Sequence, residues 1–553
     1  ENKDVAILDY KRFAKEIGED ELNFLEQAIP ALENTTADSF ISNKKKLAII
    51  VESLKDHNYF RHRTNLEKCM WYVPSDEKTE LCKQLNYNKS QSDLKKISAK
   101  ILSDEESYAT FIRFFRLDNR FLSNDEITLD PFFDNYSPSV QNPKTIKSPF
   151  KNLKNFQYKC YSDCQELLDP PLSRAILQMP TGSGKTRTAS EIIAAHLNEN
   201  EIRQVVWLAN TRELCEQAIQ CMSEVWDHIG RRTCRFNRLW DGNFNNVESW
   251  KDNECVFSVM SLQGGWSTIT KDSNKFAEDF SETSLIIVDE AHIAIAPTYK
   301  AVIEKLVRLS HCKVLGLTAT PGRTIEEETS SLSDLFNYNI TALGDPNKNR
   351  DNAIAYLRSI NVMSNAHHSE IIYENSFKIS EKDKIKLHDG NDYSDVVLNK
   401  LGKDVYRTIS IIRKLKNLLD QGAKIIMFAP SVKNSFLTSS ILTFLGYKSV
   451  HVSGNTNPKT RDLLIDKYLK GEYQIMCNYG VLATGFDAPN VDVVCIARPT
   501  TSPVLYSQMI GRGLRGKAVG GTEECLILEV KDNFIGLPNQ DALYSLYNDY
   551  WSD

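Results

Sequence analysis

Met179-Pro180-Thr181-Gly182-Ser183-Gly184-Lys185-Thr186 separates two segments of opposite periodicity. Before it, Arg174 to Gln178 (RAILQ) ends in a short apolar run that predicts a buried strand. After it, Arg187 to Leu197 (RTASEIIAAHL) repeats apolar residues at helical spacing. A glycine-bearing turn between such a strand and helix aims backbone N–H groups and a helix N-terminus at one point, which holds a polyphosphate. Thr181, Gly182, Ser183 and Gly184 line the turn. The Lys185 amine is expected to reach the β- and γ-phosphates, and the Thr186 hydroxyl to hold Mg²⁺. A chain so built uses a nucleotide.

Working outward, Leu285-Ile286-Ile287-Val288-Asp289-Glu290-Ala291-His292 lies roughly a hundred residues further on. Four consecutive apolar residues predict a strand buried on both faces. At its C-terminal tip Asp289 can hold the Mg²⁺ through water, and Glu290 can polarise the attacking water. His292 reads as a relay toward a neighbouring domain. In Leu315 to Arg323 (LGLTATPGR), Thr318 and Thr320 supply two hydroxyls that can sense the γ-phosphate and transmit its state. Gln157, some twenty residues before the loop, has an amide that donates and accepts at once, as reading an adenine edge requires.

Between these motifs, Gln204 to Ala209 (QVVWLA) predicts a strand, and Asn210-Thr211-Arg212-Glu213-Leu214 opens a helix whose start, with Thr211 and Arg212, can bind a strand phosphate. Val256 to Ser261 (VFSVMS) leads into Leu262-Gln263-Gly264-Gly265-Trp266, where Gly264 marks a second sugar–phosphate contact. The densest basic run, Arg231 to Arg238 (RRTCRFNR), reads equally as a nucleic-acid rim or an exposed loop.

GSGKT, TREL, DEAH and TATPGR, in that order and spacing, resemble the first motor domain of a DEAH-type superfamily 2 helicase. The resemblance implies a second RecA-like domain, and strands at Lys424 to Pro430, Ser449 to Gly454, Tyr473 to Cys477 and Val491 to Ala497 answer it. It further implies that Ser453 and Thr484 contact nucleic acid and that Asp487 and Gln508 face the nucleotide. Arg512 and Arg515, three apart and expected on one helix face, would neutralise transition-state charge across the interdomain cleft, an effect worth about 10³–10⁵ in turnover. The wording ATGFDAPN and QMIGRGLRG is most similar to the ResIII-like branch of restriction motors and nucleotide-excision-repair helicases. That branch implies ATP and Mg²⁺, double-stranded or forked DNA, a bacterial restriction, antiphage-defence or repair setting, and a nuclease or other defence subunit as partner. Met179 departs from the family's small residue, and Ala209-Asn210 stands where proline is usual; neither removes a catalytic atom.

The expected fold is α/β: two tandem RecA-like doubly wound parallel-sheet domains preceded by a mainly helical N-terminal domain. The divisions expected are an accessory domain at 1–148, the first motor domain at 149–345, a helical linker at 346–403 and the second motor domain at 404–553. Helices are expected over Glu21 to Leu32, Lys45 to Lys55, Ser92 to Ser103 and Glu105 to Leu117. Asp130 to Pro149 has linker composition. Lys44-Lys45-Lys46 and Arg61-His62-Arg63, the latter after Tyr59-Phe60, read as solvated helix ends, or less well as a base-stacking grip.

At 553 residues and net charge −6, the chain has no membrane-length apolar run and no global attraction to nucleic acid, so any such binding rests on local patches. No secretion signal is evident, so a cytoplasmic location and reduced cysteines are expected. The spacings of Cys160, Cys164, Cys215, Cys221, Cys234 and Cys255 do not suit a metal cluster. Two readings compete with a DNA motor: an RNA helicase, and an ATP-controlled sensor or scaffold acting with a nuclease.

Overall fold

The computed structural model describes residues 19–33, 59–61, 63–72, 75–87, 93–114, 139–141, 150, 152–171, 173–199, 201, 204–244, 254–319, 326–343, 353–374, 378–388, 392–482 and 490–534. Two sheets organise them. The first contains β1 (Ser139–Gln141), β2 (Arg174–Gln178), β3 (Gln204–Ala209), β4 (Cys234–Leu239), β5 (Cys255–Ser261), β6 (Thr283–Val288), β7 (Lys313–Thr318) and β8 (Ile340–Ala342), in the order β1-β4-β5-β3-β6-β7-β2-β8. All its pairings are parallel except β1 with β4. The second contains β9 (Asn365–Glu374), β10 (Ile425–Phe428), β11 (Ser449–Ser453), β12 (Ile475–Tyr479), β13 (Val493–Ile496) and β14 (Glu524–Asn533), in the order β11-β12-β10-β13-β14-β9, parallel throughout. Helices cover the faces, which is why β3 and β10 are buried at every position and read as continuous apolar runs. Two doubly wound parallel sheets confirm the expected class.

The expected divisions need three corrections. The linker at 346–403 is not simply helical: β9 lies inside it, in register with β14 from Asn365↔Glu524 to Asn533↔Glu374, so the second sheet begins some forty residues before 404. The strand hides because its side chains alternate between exposed and half-buried along most of its length, as an edge strand's do. Second, the span 1–148 is not one unit. β1 adds to the edge of the first sheet, where Arg238 Nη1 donates to Ser139 Oγ at 3.0 Å.

Third, the helix Glu19–Glu33 joins the core of the second sheet rather than an accessory core. Phe24, Leu25, Ala28, Ile29 and Leu32 share one of its faces and pack with Ile409, Ile412 and Ile441. Burial of that kind stabilises by about 1.5–3 kcal/mol for each large apolar side chain. Arg413 and Lys416 donate to the Ala31 and Leu32 carbonyls, acceptors that a helix end leaves open. Lys403 and Lys433 pair with Asp20 and Glu21.

A separate small core does form from Phe60, Leu66, Met70, Leu81, Ile97, Ile101, Tyr108 and Phe111, with helices at Leu94–Ile101 and Glu105–Phe114. Within it Arg61 pairs with Glu105 at 2.9 Å and lies 4.3 Å over the Tyr108 ring. Arg61 is therefore held within the protein, while Arg63 stays exposed at the start of the helix Arg63–Tyr72, as a solvated helix end would be. The helix expected at 45–55, the lysines at 44–46 and most of the linker composition at 130–149 lie outside the described residues.

Candidate functional site

β2, β7 and β6 are neighbours and parallel, so the phosphate loop, the Thr318 tip and the acidic pair emerge at the same sheet edge. Adjacent strands are about 4.8 Å apart, which leaves room between loop and acids for a phosphate chain. The loop is braced from within. Ser183 Oγ donates to the Pro180 carbonyl at 2.7 Å, and the Met179 N–H donates to the Thr318 carbonyl at 3.0 Å. Gly184, the residue before the helix Lys185–Leu197, has φ 89°, and a Cβ there would stand 2.2 Å from Gln157 Nε2. Only glycine meets both conditions. Gln157 donates to the Ser183 carbonyl at 3.1 Å and accepts from the Lys154 N–H at 2.9 Å. Its amide thus positions the loop; an adenine contact would have to use its remaining donor and lone pair.

Asp289, 3% exposed, accepts from the Glu290 N–H at 3.0 Å. Glu290 sits in the left-handed region at φ 50°, ψ 55°, a strained turn for a non-glycine residue that re-aims its side chain at the strand tip. Burial, reinforced by Glu290, pushes the Asp289 carboxyl up to about 7, against the pull of Lys185. Burial pushes Glu290 up as well, but Lys185, His292, Arg512 and a hydrogen bond from Gln508 together hold it below the ordinary carboxylate range. His292 Nδ1 lies 3.4 Å from Glu290 Oε2. A buried carboxylate and a partly buried one beside one lysine form a donor set that fits a hard divalent cation. Asp289 and Thr186 would hold Mg²⁺, which when bound would neutralise phosphate charge.

The second sheet completes this cleft. Gly511 packs so closely on Thr181 that a Cβ would lie 2.6 Å from its Cγ2. A Cβ on Gly182 would lie 3.5 Å from Arg515 Cγ. Lys154 Nζ donates to the Ala518 carbonyl at 3.0 Å. The expected arginine helix needs correction: it ends at Ile510, Arg512 rides on the turn beyond, and Arg515 forms an isolated antiparallel bridge with Met363. The glycines explain the stop. A Cβ on Gly513 would strike Cys525 Sγ at 2.3 Å, so the chain there presses on the sheet and cannot continue a helix.

The candidate nucleic-acid residues behave differently. The Thr211 hydroxyl accepts from the Leu214 N–H at 3.3 Å as a helix cap. Arg212 pairs with Glu216 at 2.6 Å and with Asp241 at 3.7 Å. The Gly264 N–H donates to Ser261 Oγ at 3.3 Å. Ser453 is buried, with its N–H donated to Thr456 Oγ1. The basic run Arg231 to Arg238 is a loop only at its start: Arg231 is exposed and Arg232 donates to the Leu197 and Glu199 carbonyls, after which the run enters buried β4, where Arg235 pairs with Glu254 at 3.1 Å. Thr320, Thr484 and Asp487 lie outside the described residues.

Two contacts had no signal in the sequence. Arg461 donates to Glu213 of TREL at 2.5 Å across 248 residues, tying the second domain to the first domain's expected phosphate grip. Tyr299 Oη donates to Asn210 Oδ1 at 2.8 Å, which gives the unusual asparagine before Thr211 a partner. No helix among the described residues is long and apolar enough to cross a membrane.

Residues 150–323 match the family described as type III restriction enzyme, res subunit, and residues 410–517 match the helicase conserved C-terminal domain. The chain is 26% identical over 399 residues to a Schizosaccharomyces pombe protein named putative mitochondrial ATP-dependent helicase irc3, covering 71% of this chain and 60% of that one. It is 25% identical over 340 residues to a 51.5 kDa protein of a Lactococcus phage, covering 62% of each. Among solved structures, the Pyrococcus furiosus Hef helicase domain aligns at 15% identity and TM-score 0.43, covering 71% of this chain and 97% of that one. The chain spans about three fifths of the length of these curated relatives.

Proposed function

We propose that this chain, which belongs to the superfamily 2 helicases and is related to their ResIII branch, is an ATP-driven DNA motor acting on double-stranded or forked DNA. The observation that carries it is the meeting of both domains at the loop: Gly511 of the second packs on Thr181 of the first, Arg515 lies beside Gly182 and Lys154 Nζ donates to the Ala518 carbonyl, which puts Gln508 and Arg512 near enough to Glu290 to favour its ionised form. Held ionised, Glu290 can accept a proton from the attacking water, and Arg512 and Arg515 can stabilise charge on the transferring phosphoryl group. Lys185 orients the β- and γ-phosphates, and the brace from Ser183 and Gln157 keeps the loop from collapsing. Because the site's parts come from two domains, ATP favours closure and hydrolysis releases it. The Arg461–Glu213 pair carries that closure to the TREL helix.

DNA rather than RNA is favoured by a partial match, 31% identity over 156 residues covering 27% of this chain and 13% of that one, to a Coccidioides immitis protein named ATP-dependent DNA helicase MPH1. The res-subunit match favours a restriction or antiphage setting with a nuclease partner. The test is the steady-state ATPase rate with no polymer, single-stranded DNA, duplex DNA, forked DNA and duplex RNA at one low salt concentration, with Glu290→Gln as the blank. Stimulation by duplex or forked DNA is expected. Preference for RNA would replace the DNA reading, and stimulation by none of them would favour the partner-dependent sensor.

A further inference from the structure

The expected nucleic-acid face of the first domain carries a segment with no role above, the turn Trp240 to Phe244 after β4. Asp241 and Gly242 are both left-handed, at φ 51° and 87°. Asp241 reaches one motif and Phe244 another. The Asp241 carboxylate stands 3.7 Å from Arg212 Nη1. The Phe244 ring lies directly on Gly264: a Cβ there would be 2.0 Å from its Cζ and 2.1 Å from its Cε2. The ring also packs on the core that includes Met260, Leu262 and Val302.

We propose that Trp240–Phe244 is a cover for the nucleic-acid track of the first domain: Asp241 stands at Arg212 in place of a backbone phosphate, Phe244 fills the space over Gly264, and an entering strand displaces both. Carboxylate and phosphate are both oxyanions that accept from a guanidinium; Glu216 takes the Arg212 Nε side, so an entering phosphate competes with Asp241 for the Nη1 side. A glycine admits a close sugar–phosphate approach only when the space above it is open. The inference rests on the nucleic-acid reading of Arg212 and Gly264.

The experiment is fluorescence polarisation of a labelled duplex DNA at low salt with the full chain, beside its Asp241→Asn, Phe244→Ala and Phe244→Leu variants. Asparagine tolerates the left-handed backbone, and leucine keeps the turn's apolar anchor, so melting temperatures close to that of the parent are expected for both. A cover predicts that Asp241→Asn and Phe244→Ala each tighten binding, roughly three- to tenfold, with the polymer-free ATPase rate unchanged. Weaker binding by Phe244→Ala would make the ring a base-stacking platform and overturn the cover. Unchanged binding in variants of a protein that itself binds DNA would overturn the cover alone. Absence of binding in the parent and every variant would overturn the nucleic-acid reading itself.

Discussion

The two sides of the cleft are built from the same kinds of motif and stand in opposite states. On the nucleotide side, Asp289 and Glu290 face Lys185, Gln508 and Arg512 with the phosphate loop already braced. On the nucleic-acid side, Arg212 has two carboxylates, Glu213 has Arg461, and Gly264 lies under Phe244. The first side is preorganised, and its ligand enters a finished site. The second is self-satisfied, so on the proposed function its ligand would have to break contacts to bind. On the proposed function, coupling would run through one of these contacts, because the Glu213–Arg461 pair also joins the two domains.

Four substitutions sharpen or break the comparison. Arg512→Ala should lower turnover by about 10³-fold or more while leaving ATP affinity, measured with a fluorescent analogue, nearly unchanged. A large loss of binding would show that Arg512 holds ground-state ATP and is no part of a preorganised transition-state site. Glu290→Gln should cut hydrolysis by about 10²–10⁴ and leave ATP bound; normal single-turnover hydrolysis would remove Glu290 as the base.

Arg461→Met breaks a pair whose side chains are 10% and 25% exposed. Discounted for that exposure, the loss is about 1–2 kcal/mol, roughly tenfold in polymer-stimulated ATPase, with the polymer-free rate much less affected. Equal losses in both rates would mean that the pair serves the nucleotide side too.

The smallest effect is a pH dependence. Burial pushes the Glu216 carboxyl up to about 7, with Arg212 pulling against it. Below that pH it is protonated and releases its hold on Arg212, so duplex affinity should rise a few-fold as pH falls through about 7. Glu216→Gln should flatten that part of the profile; a slope unchanged in the variant would assign the titration elsewhere.

Much of this was legible from local pattern. The loop at 179–186, the strands ending at Gln178, Val288 and Thr318, and the fold class all follow from apolar runs and helical periodicity that few neighbouring residues suffice to set. The parts of the site that lie within one loop or strand tip were legible for the same reason. The basic run at 231–238 misled because charge alone does not say whether a guanidinium finds Glu254, a backbone carbonyl or solvent. The arginine helix misled because residue spacing cannot reveal that Gly513 must lie against Cys525.

What the chain's order of residues determined is therefore the chemistry at each strand tip: which loop carries amides and lysine, which tip carries carboxylates, and which turn carries arginines. Tertiary structure alone decided what those groups face. It placed Glu19–Glu33 on the second sheet, closed Gly511 onto Thr181, paired Arg461 with Glu213 and laid Phe244 on Gly264. Periodicity and capping act over a few residues, whereas these contacts join segments far apart in the chain, or as with Phe244 some twenty residues apart. They are chosen by shape, burial and charge once the sheets have formed.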